Sequence, residues 1–153
     1  TEWGHDSSLD WHVTQEDPHK KMQHTLTALN KLYKEEPALY ERSFEPEGFE
    51  WVDFNDAESS VMSFLRKGND SKDDILIVCN FTPVPRENYR IGVPAPGNWA
   101  EIFNSDDENF GGSNVQNGNS VKTEKVQTHQ KKQSLSLTLP PMGVVYLKRE
   151  PAQ

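Results

Sequence analysis

The hydrophobic period of this chain changes near Phe49, from a period typical of a helix to one typical of strands. Between residues 17 and 36, apolar side chains recur at three- and four-residue steps, which predicts one amphipathic helix. This stripe consists of Met22, Leu26, Leu29, Leu32 and Tyr33. From Phe49 onward apolar and polar residues alternate, so the greater part of the chain is predicted to be β-structure.

The ends of the helix are marked by residues with known preferences for helix termini. Asp17 is a suitable N-cap and Pro18 suits the first helical position. Pro37 ends the helix, because the residue before a proline disfavours helical backbone angles. A short helical turn is expected at residues 38–40.

Eight segments after the helix have the features of strands or edge strands. Residues 49–54 and 60–66 alternate across a polar turn and predict a hairpin, while the continuous apolar run 75–81 predicts a central strand. The remaining segments are 89–93, 99–104, 134–139, 143–148 and a short edge strand near 121–126 within the long polar stretch 104–133. Seven or eight short strands joined by polar turns predict a sandwich or a barrel.

Charge and composition exclude several classes of partner. The formal net charge is −8 and the basic residues are scattered, which argues against binding to nucleic acid or to an anionic membrane. No apolar stretch approaches the roughly 20 residues of a membrane span. Residues 1–20 carry no signal-peptide pattern and Cys79 is the only cysteine, so a cytoplasmic, reducing setting is expected.

The sequence offers few residues for metal or nucleophilic chemistry. The histidines of the first 24 residues match no spacing of paired zinc ligands, so we expect no metal and no cofactor. Cys79 lies within an apolar strand, where an uncharged structural thiol is expected rather than a nucleophile. The glycines at 111 and 112 lack the lysine and preceding strand of a phosphate-binding loop.

The four tryptophans fall into two groups. Trp51 and Trp99 lie in alternating strands, and we expect both to pack in the core. Trp3 and Trp11 lie in a loop-like segment without a helical or strand period, where stacking on a sugar ring and ordinary packing are both open.

Five blocks of the sequence, taken together and in this order, resemble the C-terminal part of bacterial 1,4-α-glucan (glycogen) branching enzymes, which belong to the α-amylase superfamily. The blocks cover most of the chain. They are residues 2–11 (EWGHDSSLDW), 44–53 (FEPEGFEWVD), 80–94 (NFTPVPRENYRIGVP), 104–113 and 134–148. The third block would be a crossover within a sandwich, in which the prolines fix the path of a loop and Arg86 and Arg90 have no evident partner.

The resemblance implies a parent enzyme with a (β/α)8 barrel that cleaves an α-1,4 glucan and transfers it to form an α-1,6 branch with retention. The catalytic acids of that family lie upstream of the segment present here, so no catalytic residue is expected in this chain and the chain alone is expected to be inactive. By the same resemblance, residues 1–40 would be the terminal loop and last helix of the barrel, and residues 41–153 an antiparallel C-terminal β-sandwich.

Glucan contacts are implied only for the first segment of the chain. If that segment follows the last barrel strand, Trp3, His5, Asp6 and Trp11 would lie near the glucan cleft of the parent, whose partners would be glycogen or maltooligosaccharide and its own barrel. The chain departs from the family at Gly4, where members usually have asparagine, so any contact of that side chain is lost or replaced.

Two other functions remain open beside this interpretation. In the first, the chain is a free-standing, non-catalytic carbohydrate-binding module. In the second, it is a purely structural sandwich without affinity for glucan. Removal of the helix from a barrel would also leave its apolar stripe uncovered, so we expect the helix to pack on the sandwich or to mediate a dimer.

Overall fold

The computed structural model describes residues 4–151 and contains one α-helix and eight strands. The helix is α1 (Asp17–Glu35), and short 3₁₀ turns lie at Trp11–Gln15, Pro37–Leu39, Pro46–Gly48, Ser71–Asp73 and Glu108–Phe110. The strands are β1 (Phe49–Asp56), β2 (Val61–Arg66), β3 (Ile75–Asn80), β4 (Arg86–Val93), β5 (Asn98–Asn104), β6 (Ser120–Lys122), β7 (Gln133–Leu139) and β8 (Val144–Arg149). The predicted hairpin, central strand and single helix are confirmed.

The eight strands form two antiparallel sheets. The larger sheet has the order β1-β2-β3-β8-β5-β6, and the smaller sheet consists of β4 and β7. The run from Asn80 to Pro94 carries the chain from β3 in the large sheet to β4 in the small one, as a crossover should. Sandwich and barrel were both compatible with the strand pattern, and two sheets packed face to face decide for the sandwich.

Aliphatic side chains from both sheets fill the space between them. The large sheet contributes alternate residues such as Leu76, Val78 and Leu147, and the small sheet contributes Ile91 and Leu137. All of these side chains are at most 1% exposed. Burial of this apolar area is the main favourable contribution to folding of the domain.

The two tryptophans predicted to lie in the core have different positions. Trp99 is 1% exposed and packs between the sheets, whereas Trp51 is 47% exposed on the outer face of the large sheet. The prediction for Trp51 is therefore wrong. Alternation places a side chain on one face of a strand but does not say whether that face is covered.

Helix α1 begins and ends close to the predicted positions, but its cap differs. The N-cap is Glu16, which makes no side-chain capping bond, and Asp17 lies in the first turn of the helix, so the predicted Asp17 cap is wrong. Asp17 instead pairs with Lys21 at 3.1 Å. At the other end Pro37 starts the 3₁₀ turn that lies on the outer face of the large sheet.

The expectation that the helix packs on the sandwich is confirmed for only part of its stripe. Leu32 is buried and Leu29 is half-buried, and both line a cleft of about 410 Å³ over the outer face of the large sheet. Met22 and Leu26, nearer the start of the helix, are 62% and 55% exposed. The N-terminal half of α1 thus has an apolar face that the described residues leave uncovered.

Candidate functional site

The segment predicted to approach a glucan is exposed. His5 and Asp6 lie in a bend, and Trp11 starts the first 3₁₀ turn with 66% of its surface exposed, while Trp3 lies outside the described residues. Within residues 4–151, no hydrogen bond or salt bridge joins the side chains of His5, Asp6 and Trp11. The structure does not assemble these residues into a preformed site.

Asn80 organises the loop that follows the central strand. Its side-chain amide donates to the carbonyl oxygens of Val84 (2.9 Å) and Pro140 (2.8 Å), and its carbonyl oxygen accepts from the backbone and hydroxyl of Thr82 at 3.0 and 2.8 Å. Asn80 is only 2% exposed, so these bonds fully use a buried amide. The specificity of this sequence run therefore reflects its structure, since its first residue, Asn80, joins two loops of the sandwich.

The two arginines of the same run also have partners, contrary to expectation. Arg90 donates to the Ser134 hydroxyl and pairs with Glu124, both at 3.0 Å, and thereby ties β4 to the start of β7. Arg86 donates to the backbone carbonyl of Ser59 at 3.2 Å. Nothing in the sequence indicated these partners, because each of them is at least 27 residues away.

The most buried acids of the long polar loops bind backbone amides. Asp106 accepts from the backbone of Ser113 and Val115 at 2.9 Å and from the Ser113 hydroxyl at 2.8 Å. Burial acts to raise the pKa of Asp106, but these bonds outweigh it and hold the pKa below its ordinary value. A side chain at Gly112 would meet the Asp106 carbonyl oxygen at 2.1 Å, so this turn requires glycine.

A second buried acid behaves in the opposite way. Asp74 is 5% exposed and accepts a hydrogen bond of 3.3 Å from the backbone N–H of Gly68. Burial raises the pKa of Asp74, and one long hydrogen bond does not compensate for it. The partners of both acids are backbone N–H groups of neighbouring loops, which indicates structural roles.

An ion-pair group fastens the C-terminal end of α1 to the large sheet. Lys148 on β8 pairs with Glu36, the residue that follows the helix, and with Asp73 at 3.3 Å. Burial acts to lower the pKa of Lys148, but the two carboxylates outweigh it and raise the pKa. The helix is thus held in one place over the sheet by charge as well as by Leu32.

Cys79 has the character predicted for it. The thiol lies in β3 on the outer face of the large sheet, where it is half-buried beside Phe64 and Tyr146. Burial raises the pKa of Cys79, so the thiol is uncharged at neutral pH. Among residues 4–151, no group of three or more acids, histidines or cysteines is placed to hold a metal ion.

A cluster of aromatic side chains lies on the outer face of the large sheet, at its β1 edge. We call it the outer aromatic patch: Phe49, Trp51, Phe54 and Phe64. Trp51 and Phe64 are directly opposite in the ladder, and the centroid of Trp51 lies 4.9 Å from that of Phe49 and 5.3 Å from that of Phe54. Phe49, Trp51 and Phe54 are 39%, 47% and 58% exposed.

Sequence reasoning missed this patch, although a signal was present. Phe49 and Trp51 are two residues apart on one strand, and Phe64 lies across the hairpin, so strand geometry alone places the three on one face. Aromatic side chains exposed together are uncommon on a surface that contacts only water. The patch is the largest exposed aromatic cluster that the described residues form, and it is the candidate functional surface.

Residues 51–150 match the sequence profile of the family described as the C-terminal all-beta domain of alpha amylase. The chain belongs to this family. The match covers all eight strands except the first two residues of β1, and it leaves α1 outside. The mainly antiparallel β-fold is the architecture that the family description states.

Curated relatives extend the likeness over nearly the whole chain. This alpha-amylase C-terminal domain is 52% identical over 149 residues to the 1,4-alpha-glucan branching enzyme GlgB of Aquifex aeolicus, covering 97% of this chain and 24% of that protein. The enzyme of the same name from Rhodospirillum rubrum is 49% identical over 148 residues, covering 96% of this chain and 20% of that protein. The chain corresponds to a C-terminal part of the branching enzyme, and spans about a fifth to a quarter of the length of these relatives.

A solved structure, an inactive double mutant of MutB in complex with isomaltulose, is similar to this chain. The overlay covers 80% of this chain and 17% of the MutB chain. The TM-score is 0.47 and the identity is 19%, a likeness too distant to carry an inference about function. In the part of the chain that the structure describes, no helix is long and apolar enough to cross a membrane.

Proposed function

We propose that this chain is the non-catalytic C-terminal region of a 1,4-α-glucan branching enzyme. The whole protein would cleave α-1,4 glucan chains and transfer them to form the α-1,6 branches of glycogen, in the bacterial cytoplasm. The observation that carries the proposal is the 52% identity over 149 residues to a protein of that name. The region would stabilise the catalytic barrel or hold glucan.

The chemistry of the described residues supports a non-catalytic role. A retaining glucan transfer needs two carboxyl groups about 5 to 5.5 Å apart on either side of the scissile bond. The buried acids Asp74 and Asp106 bind backbone amides, and Glu36 and Asp73 bind Lys148. These four acids are thus engaged in bonds within the domain, and the chain alone is expected to be inactive.

The division of the chain follows from the same proposal. Residues 1–40 would end the barrel with its terminal loop and last helix, and residues 41–153 would form the C-terminal domain. One observation supports it: the profile match starts at residue 51 and leaves α1 outside.

Glucan contacts are proposed for the exposed first segment. Trp3, His5, Asp6 and Trp11 would border the glucan cleft of the parent, and glycogen or maltooligosaccharide would be the partner. The exposure of Trp11, at 66%, fits a ring available for stacking on a sugar. His5, Asp6 and Trp11 have no side-chain partners within residues 4–151, so their geometry would be set by the barrel.

The test is an assay for branching. Amylose is incubated with this chain and, separately, with the polypeptide encoded by the whole reading frame around it, and branches are counted after debranching and chromatography. The longer polypeptide is expected to form α-1,6 branches, whereas the chain alone forms none. Branching by the chain alone, or a reading frame without a barrel, would contradict the proposal.

A free-standing carbohydrate-binding module is the second candidate, favoured only by the exposed tryptophans Trp11 and Trp51. Titration of the chain with maltoheptaose, followed by tryptophan fluorescence, separates the candidates. A module would bind with a dissociation constant in the micromolar range and would need no upstream barrel. If millimolar sugar produces no spectral change, the result favours a purely structural domain without affinity for glucan.

A further inference from the structure

We propose that a polar cleft between α1 and the loop after β5 is a binding site for a short α-1,4-linked glucan segment. The inference rests on the proposed function, which supplies the class of ligand. We call this site the β5 cleft, and its volume of about 480 Å³ lies within the range of small-ligand sites. The lining residues on which the proposal depends are Lys31, Glu35, Asp107, Phe110, Gln116 and Asn119.

The C-terminal half of α1 supplies one wall of the β5 cleft. Lys31 and Glu35 lie one turn apart on the helix, and their side chains are 71% and 60% exposed. The lysine amine lies 3.9 Å from the Glu35 carboxylate, which is too long for a hydrogen bond. Each group therefore keeps its capacity for a ligand, the ammonium as a donor and the carboxylate as an acceptor.

The loop between β5 and β6 supplies the facing wall. Asn119 is exposed, and within residues 4–151 its side chain makes no hydrogen bond. The side-chain amide of Gln116 donates to Asn114 and lies 3.5 Å from the Asp107 carboxylate, at the limit of hydrogen-bond geometry. Amides and carboxylates with unused capacity suit sugar hydroxyls, because a hydroxyl both donates and accepts.

An aromatic ring completes the lining of the β5 cleft. Phe110 is half-buried at the end of the turn Glu108–Phe110 and stacks on the buried Phe103, with ring centroids 5.5 Å apart and planes inclined by 27°. Phe103 in turn packs on Tyr146 at 5.4 Å, so the Phe110 ring is fixed from below. A fixed ring with polar groups around it is the composition of a site for a small polar ligand with one less polar face.

Hydrogen bonds within the domain hold the loop wall in place. The Asn104 amide donates to the carbonyl of Val115 at 2.8 Å. Asn117 exchanges two hydrogen bonds with the backbone of Thr138, at 3.0 and 2.7 Å. Both neighbours of Gln116 are thus tied to the sandwich. A wall that is ordered before binding loses little conformational entropy when the ligand arrives.

The charges of the β5 cleft favour a neutral ligand. One lysine, Lys31, shares the lining with three carboxylates, those of Glu35, Glu101 and Asp107. This excess repels an anion, and among residues 4–151 no group of acids, histidines or cysteines is placed to hold a metal ion. An oligosaccharide is neutral and its hydroxyls bond to groups of both signs, so it is the class of ligand that fits.

The β5 cleft is shared between two parts of the chain. α1 lies outside the profile match of the family, whereas β5 and the loop after it lie inside the match. Under the proposed function the helix is the last helix of the barrel. A glucan segment in the cleft would therefore contact the barrel and the C-terminal domain together.

Residue-resolved NMR of this chain tests the proposal. Maltotriose is titrated into the isotope-labelled chain, and the backbone amide resonances are followed one by one. Resonances of residues 28–35 and 107–119 are expected to shift together, with a dissociation constant of about 0.1–5 mM. The readout assigns the sugar to a place, so binding at any other surface is recognised as such.

Two substitutions, one on each wall, measure the contribution of the cleft. Lys31→Ala and Asn119→Ala should each weaken the affinity for maltotriose about five-fold, because each removes a hydrogen-bonding group from one wall. Lys34→Ala and Asn69→Ala are the matched controls, since both residues are exposed and lie outside the cleft, and they should change the affinity less than about two-fold. Unchanged resonances elsewhere in each variant show that the fold is intact.

The contrary outcomes are distinct. Absence of shifts at the cleft, shifts confined to the outer aromatic patch, or equal losses in test and control variants would each overturn the site. Hydroxyl-radical footprinting of the longer polypeptide adds a further check: maltotriose should protect Phe110 there, and protection of Phe110 without sugar would show that upstream polypeptide fills the cleft, which also overturns the site.

Failure of the site and failure of the proposed function have different signatures. If the longer polypeptide forms branches and the cleft binds no maltotriose, the proposed function stands and the site fails. If the cleft binds maltotriose and the longer polypeptide forms no branches, the site stands and the proposed function fails.

Discussion

The two faces of the large sheet differ in kind. Its inner face, toward β4 and β7, consists of fully buried aliphatic side chains such as Leu76 and Val145, which are completely inaccessible to solvent. Its outer face carries half-exposed aromatic side chains, with Trp51 at 47% exposure. The same strands supply both faces, since successive side chains point to opposite sides.

This difference separates the face that folds the domain from the face that the domain leaves partly exposed. The inner face is complete within the chain, because two sheets cover each other. The outer face is complete only where the C-terminal half of α1 and the turn Pro37–Leu39 cover it. The account therefore predicts large effects on the stability of this chain from inner substitutions and small effects from outer ones.

The largest effect is expected for Trp99→Ala. Trp99 is buried between the sheets, and its removal leaves a cavity that the surrounding strands fill only in part. The free energy of unfolding should fall by about 3–5 kcal/mol, measured by urea denaturation. A loss below about 1 kcal/mol would show that the inner face is loosely packed and would remove the contrast between the faces.

The next effect is expected for Asn80→Ala. The substitution leaves the carbonyl of Pro140 and the backbone N–H of Thr82 without partners in a buried loop. Unfolding free energy should fall by about 2–3 kcal/mol. Asn69→Ala is the matched control, because Asn69 is exposed and only its backbone N–H is bound. Equal losses in the two variants would contradict the role of Asn80 as an organiser of the loop.

The two buried acids should respond to pH with opposite signs. The pKa of Asp106 is lowered from its ordinary 3.8, so its contribution to stability is present above that value and is lost as the pH falls through the lowered pKa. The pKa of Asp74 is raised, so its charged form destabilises the fold at neutral pH, and the cost disappears as the pH falls toward 3.8.

Asn variants at both positions measure this difference by urea denaturation at pH about 7 and about 3. Asp106→Asn should cost about 1–3 kcal/mol at neutral pH and less in acid, because an amide cannot accept all three hydrogen bonds. Asp74→Asn should be more favourable, relative to the wild type, at neutral pH than in acid. Parallel pH profiles for the two variants would refute the opposite assignments.

The smallest effect on this chain is expected for Trp51→Ala. Trp51 contacts Phe49, Phe54 and Phe64 but remains half exposed, so the free energy of unfolding should change by about 1 kcal/mol or less. The Trp99→Ala variant is the natural comparison, since the residue type is the same. A cost for Trp51→Ala similar to that of Trp99→Ala would mean that the outer face is a second core.

The sequence predicts most of the strands, because alternation and turn residues are local signals. Residues 134–139 and 75–81 were placed within one residue of β7 and β3. The start of β4 was missed by three residues, since Arg86, Glu87 and Asn88 carry no apolar alternation. The edge strand near 121–126 is confirmed only as the short β6, Ser120–Lys122.

The candidate surface was harder to predict because its character depends on what covers each face. Trp51 and Trp99 have equivalent local patterns, and only the position of the second sheet and of α1 distinguishes them. The partners of Asn80 and Arg90 are also beyond local reasoning, since Pro140 is 60 residues from one and Ser134 is 44 from the other. The glucan contacts of His5, Asp6 and Trp11 stay a prediction about the parent.

The most direct test of the account compares Trp99→Ala with Trp51→Ala in this chain. The effect of each on the unfolding midpoint is measured by calorimetry, with Val126→Ala as the exposed control. The account predicts a large fall of the midpoint for Trp99→Ala and, for Trp51→Ala, a shift close to that of Val126→Ala. Equal falls for the two tryptophan variants would contradict the claim that the inner face alone folds the domain.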